Sequence, residues 1–164
     1  MIKLSKITDY AFVTLWAMRG GDLHSAHDLS VETSVPEPTT AKILKILARH
    51  GIVKSRRGVN GGYILAKSHA ELSIGEVIEA FEGRIALTAC IDHNHDSCAL
   101  EGVCDLNGKW GPLNKQLRSL FYNQTLADMM SHSQNDNASR TYQSENNLND
   151  HLKSHSDNNV ESQQ

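Results

Sequence analysis

Strand character is confined to two short runs, Ile52 to Ser55 and Tyr63 to Ala66, which flank Arg56-Arg57-Gly58-Val59-Asn60-Gly61-Gly62. Asn-Gly-Gly between such runs is a strong hairpin signal, because these residues tolerate the positive φ of a tight turn. A lone hairpin cannot supply a core. The rest of the chain must therefore pack helix on helix, and the predicted fold class is mainly α with a small β-wing.

The helical segments carry their own start and stop signals. Ser5 to Met18 places Ile7, Tyr10, Ala11, Thr14, Leu15 and Met18 at helical spacing, and Gly20-Gly21 ends the run. Ser25 reads as an N-cap for a short helix to about Thr33. After the turn Val35-Pro36-Glu37-Pro38, Pro38 suits the first turn of a third helix that turns Ile43, Leu44, Ile46 and Leu47 inward. His50-Gly51 stops it, since glycine takes a left-handed cap without strain. Beyond the hairpin, Ser73-Ile-Gly-Glu76 is a capping box opening a helix to about Phe81. Trp110 to Met130 shows a longer amphipathic pattern through Leu113, Leu117, Leu120, Phe121 and Leu126.

Helix–turn–helix followed by a hairpin is the layout of a winged helix-turn-helix domain. Net charge is −3 over 164 residues, which alone does not favour nucleic acid. The distribution does. Between Pro36 and Lys67 lie seven basic residues (Lys42, Lys45, Arg49, Lys54, Arg56, Arg57, Lys67) against the single acid Glu37. Positive charge on the third helix and wing is what phosphate binding needs. Lys42 and Lys45 alone would also suit a solvated helix face. Arg56 and Arg57, at the tip of a glycine-rich hairpin, are placed to clamp a phosphate or enter a minor groove. Thr39 and Thr40 open the third helix, where they are expected to reach base edges or phosphates.

The three cysteines, Cys90, Cys98 and Cys104, all fall within fifteen residues, in a run from Thr88 to Asp105 that also holds His93, His95 and four acidic side chains. An odd number of clustered thiols in a polar run suits a metal or iron–sulfur cluster better than a disulfide framework. The competing reading treats them as small buried hydrophobes. No apolar run approaches the ~18 residues of a membrane span, and the N-terminal residues lack a signal-peptide layout. The expected location is the cytoplasm, where thiols stay reduced. From Ser131 onward the chain is mostly Asn, Ser, Gln, His and Asp, and is expected to be disordered.

Four stretches together resemble the winged-helix iron–sulfur transcriptional regulators that include IscR and NsrR: Lys3-Leu-Ser-Lys-Ile-Thr-Asp-Tyr-Ala11, Arg57-Gly-Val-Asn-Gly-Gly-Tyr-Ile-Leu65, Ser73 to Glu82, and the three-cysteine loop. The resemblance covers residues 1 to about 130. Gly83 to Cys90 and Cys98-Ala-Leu-Glu-Gly-Val-Cys104, with Trp110 following, look closest to regulators of SUF-type iron–sulfur assembly. The resemblance implies a DNA-binding domain over 1–82, a cluster-binding loop over 83–109 and a dimerisation helix over 110–130, with the polar tail over 131–164.

It further implies a homodimer on a double-stranded operator, acting as a repressor. The cluster, 2Fe–2S with 4Fe–4S as the alternative, would be held by Cys90, Cys98, Cys104 and one other ligand. IscR-type members place a histidine three residues after the last cysteine; here that position is Asn107. NsrR-type members use an aspartate of the partner's first helix, and Asp9 occupies the matching place. His93, His95, Asp92 and Asp105 remain candidates within the loop. Asp9 would equally serve as a first-turn acid favoured by the helix dipole. Nitric-oxide sensing and a structural zinc site are the competing functions. No nucleotide loop, nucleophile–base pair or tuned carboxylate pair points to an enzyme.

Overall fold

The structure is a computed structural model and describes residues 3–58, 61–91 and 103–131. The chain divides into two units, Met1–Met129 and Met130–Gln164. Of the second unit only residues 130 and 131 are described, so the expected disorder of the tail falls outside the described residues.

The caps set the first three helices. α1 (Lys6–Ala17) starts where the Ser5 side chain accepts from the Thr8 amide. α2 (Ala26–Thr33) opens on a capping box between Ser25 and Asp28, and ends at Ser34, which takes the left-handed conformation with φ 58°. α3 (Glu37–Arg49) carries Pro38 in its first turn and stops before Gly51, with φ 70°. Caps of this kind contribute about 1 kcal/mol each. A fully buried leucine contributes about 1.5–3 kcal/mol. Packing therefore decides how the helices sit. Leu15, Met18, Leu29, Ile43, Leu44 and Leu47 are completely buried and form the centre of the core. Ile46, expected inward, is only half-buried.

The wing is an antiparallel pair, β1 (Val53–Arg56) and β2 (Gly62–Leu65), in the register Val53↔Leu65 to Arg56↔Gly62. Val59 and Asn60, in the predicted turn, lie outside the described residues. A third segment joins the outer edge of β2 near the turn. The amide of His24 donates to the Tyr63 carbonyl at 2.9 Å, and the Tyr63 amide returns a bond to His24 at 2.8 Å. That close approach requires glycine next door, since a Cβ on Gly62 would stand 2.6 Å from the His24 carbonyl oxygen.

α4 (Ile74–Glu82) opens on the predicted capping box, Ser73 with Glu76. The single helix expected over 110–130 proves to be two, α5 (Gly111–Asn123) and α6 (Leu126–Ser131). Gln124 is extended, with ψ 131°. Its carbonyl accepts from the Ile74 amide at 2.9 Å, while the Leu126 amide donates to Leu72 at 2.9 Å. The physical cause is a second cap. The Thr125 hydroxyl accepts from the Asp128 amide and the Asp128 carboxylate accepts from the Thr125 amide. Leu126 is then driven into the core, fully buried.

Among the described residues no helix is long and apolar enough to cross a membrane.

Candidate nucleic-acid interface and thiol site

The 3.6-residue period divides α3 into two faces. Thr40, Ile43, Leu44 and Leu47 point to the core, while Lys42, Lys45 and Arg49 are exposed. Lys54, Arg56 and Arg57 are exposed on the wing side. Among the described residues none of these six cations has an acidic partner. Lys67, also in the basic stretch, is different: it pairs with Glu76.

Glu37, the one acid in this stretch, is engaged by His27 of α2 at 3.1 Å. The hydrogen bond to Glu37 raises the His27 pKa above 6.5. A face of unpaired cations leaves its full field available to phosphates.

The two threonines part company. Thr39 is half-buried at the start of α3. Thr40 is fully buried, and its hydroxyl donates to the carbonyls of Val35 at 3.2 Å and Pro36 at 3.3 Å. Its expected contact with DNA is corrected: Thr40 fastens the turn before α3. The spacing 40, 43, 44, 47 already carries that signal, since it places Thr40 on the apolar stripe.

At the other end of the unit, Cys90 and Cys104 are both free thiols and half-buried. The Thr88 hydroxyl lies 3.2 Å from the Cys90 sulfur. Cys98, Asp92, His93 and His95 fall outside the described residues, and among the described residues no three candidate ligands converge. Asp105 and Asn107 are exposed, beside Cys104. Asp9 is exposed on α1, lining a cleft of about 710 Å³ with Lys3, Ser5 and Glu82. Half-buried free thiols with no partner among the described residues beyond one hydroxyl, and an exposed carboxylate, are donors that suit an iron–sulfur cluster.

Two positioning residues escaped the sequence reading. Glu82, the last residue of α4, accepts from the Ser5 amide at 2.8 Å and from the Thr8 hydroxyl. Hydrogen bonding from the Ser5 side chain first, then the Thr8 side chain and the Ser5 amide, lowers its carboxyl pKa. These bonds also tie the first turn of α1, which presents Asp9, to the point where the cysteine segment departs. Asn114 of α5 is buried, accepting from the Leu87 amide at 2.9 Å and donating to the Ile85 carbonyl at 3.1 Å. It fixes the root of the cysteine segment against α5. An isolated Glu at a helix end and an Asn in an amphipathic helix carry no sequence signal for either role.

On α5, Leu113 and Leu120 are 49% and 57% exposed, and Trp110 just before the helix is 38% exposed. Leu117 and Phe121 line a groove of about 510 Å³ beside them, with Ile78, Ile85 and Leu87. A contiguous apolar surface of this kind is the mark of a protein contact.

A family model described as Rrf2, iron-dependent transcriptional regulator, matches residues 4–132. The HTH-type transcriptional regulator NsrR of Geobacillus kaustophilus is 29% identical over 132 residues, covering 79% of this chain and 90% of that protein. Among solved structures, IscR of T. potens is 25% identical with a TM-score of 0.54, covering 80% of this chain and 88% of its own. CymR, the global cysteine regulator of B. subtilis, shares the fold with a TM-score of 0.58 at 22% identity, over 80% of this chain and 98% of that one.

Proposed function

The chain belongs to the Rrf2 family of iron-dependent transcriptional regulators, and from that premise we propose that it is a homodimeric repressor that senses iron–sulfur status and controls cluster-assembly genes of the SUF type. The family membership makes it a winged-helix, DNA-binding regulator and not an enzyme. One observation carries the finer reading: a face of cations on α3 and the wing, unpaired among the described residues, stands on the same chain as two half-buried free thiols.

Operator contacts are assigned to Thr39, Lys42, Lys45, Arg56 and Arg57. The wing arginines contact phosphate or minor groove, and the lysines contact phosphate. Replacing both wing arginines by alanine is expected to weaken operator binding and to lower the salt slope by about two.

Cys90, Cys98, Cys104 and Asp9 of the partner subunit would hold the cluster. When bound, it supplies a redox-labile link among these side chains. The chain's own residues supply the geometry. Glu82 pins the first turn of α1 and thereby Asp9, Asn114 anchors the cysteine segment to α5, and the apolar surface of α5 supports pairing with a second copy. Two recognition helices must match half-sites one helical turn apart, so a small change in their relation is costly. A tenfold change in operator occupancy takes only about 1.4 kcal/mol.

Iron and sulfide counting after anaerobic purification tests the assignment. Wild type should be coloured and contain both elements, while Cys98→Ala should lose colour and regulation, and Asp9→Ala should hold its iron less tightly. A colourless protein with stoichiometric zinc would overturn the cluster reading. Nitric-oxide sensing is the second reading, favoured by the similarity to NsrR. It predicts operator release on nitric oxide but not on iron chelation.

A further inference from the structure

A second group of cations gathers away from the DNA face. Arg84, Lys115 and Arg118 line a cleft of about 460 Å³ between the root of the cysteine segment and α5, with Ile91, Ser119 and Asn123 completing the wall. The nearest carboxylate is already committed. Glu79 binds the Arg118 Nη2 at 3.1 Å, accepts from the Tyr122 hydroxyl at 2.6 Å, and accepts from the Ile85 amide at 3.1 Å. Arg84 and Lys115 have no acidic partner among the described residues. The Nε of Arg118 is buried and finds no acceptor. Out of reach of solvent, that atom offers nothing to a ligand, so the open cations of the cleft are Arg84 and Lys115, both exposed.

On α5 the helical period separates the cleft from the apolar side, while Arg84 lines both the cleft and the apolar groove. Leu113, Leu117, Leu120 and Phe121 fall on one side of α5, while Lys115, Arg118 and Ser119 fall on the opposite side.

We propose that this cleft binds a small polyanion, a di- or tricarboxylate or a phosphate ester, bridging Arg84 to Lys115. The volume suits a small metabolite, and the Arg84 fork matches paired oxygens of either group. Bound there, the anion ties Arg84, at the start of the segment leading to Cys90, to α5. The site stands on its own residues and does not depend on the cluster assignment.

Calorimetric titration of the full chain, at fixed ionic strength to hold screening constant, tests this with citrate, inorganic phosphate and pyrophosphate as probes. At least one probe should bind saturably, and Arg84→Gln with Lys115→Gln should weaken it about tenfold or more without altering the circular dichroism. Saturation by citrate alone assigns a carboxylate ligand, by the phosphates alone a phosphate ester. The proposal falls if no probe saturates by about 50 mM, or if the double variant binds as wild type. It also falls if that variant loses operator affinity while no probe saturates, which would make the cleft a DNA contact. Should the double variant misfold, Lys115→Gln alone gives the same reading.

Discussion

The winged-helix region and the region after Gly83 solve the burial problem differently. In the first, α1, α2 and α3 close on one another until Leu15, Leu29, Ile43, Leu44 and Leu47 are out of water. In the second, Leu113 and Leu120 stay about half exposed and polar clamps such as Asn114 and Glu79 do much of the holding. A region complete in itself makes a rigid reader of DNA. The region after Gly83 leaves Leu113 and Leu120 uncovered, which suits the proposed pairing with a second copy, and the candidate sensing thiols sit there.

The contrast can be broken from either side, and the largest effect should come from the closed core. Leu47→Ala leaves a cavity beneath α3 and should cost about 2–5 kcal/mol in denaturant unfolding. Operator binding should be lost along with the fold. Leu113→Asp with Leu120→Asp should do the reverse. Unfolding of the winged helix should shift by no more than about 0.5 kcal/mol. Sedimentation should show a monomer, and operator affinity should fall by about a hundredfold as the two half-sites lose their coupling.

Gly75→Ala tests the seam between the regions. A Cβ there would meet the Tyr122 ring at 2.6 Å, so α5 must shift at a cost of about 1–3 kcal/mol. The perturbation should appear in amide exchange of α5 before that of α3.

The smallest effect is a pH dependence. His27 has its pKa raised above 6.5 by the hydrogen bond to Glu37. Its contribution is therefore fully present below 6.5 and is lost as pH rises through the higher folded-state value. The stability difference between wild type and His27→Gln should shrink over that window. A difference that grew with pH would reverse the sign of the interaction.

Local signals made the first region legible. Ser25, Ser73 and Gly51 act where their cap chemistry puts them, and the hairpin lies within one residue of its predicted limits. What the sequence reading missed depends on distant partners or on weighing one signal over another. The His24–Tyr63 pairing joins residues far apart in the chain, and no local propensity announces it. Thr40 carries a hydroxyl, which suggested a surface role, but its spacing with Ile43, Leu44 and Leu47 prevails. The break at Gln124 follows from Thr125 and Asp128, a capping box hidden inside a long amphipathic pattern. Of the candidate cluster ligands, Cys90 and Cys104 are half-buried free thiols and Asp9 is exposed. The other candidates, Asp92, His93, His95 and Cys98, lie outside the described residues.

Operator affinity of the anaerobically purified protein, measured before and after removal of its iron at one salt concentration, tests the sensing claim most directly. The account predicts at least about a tenfold change in wild type and none in Cys98→Ala. Equal affinities for the iron-loaded and iron-free wild-type protein would contradict it.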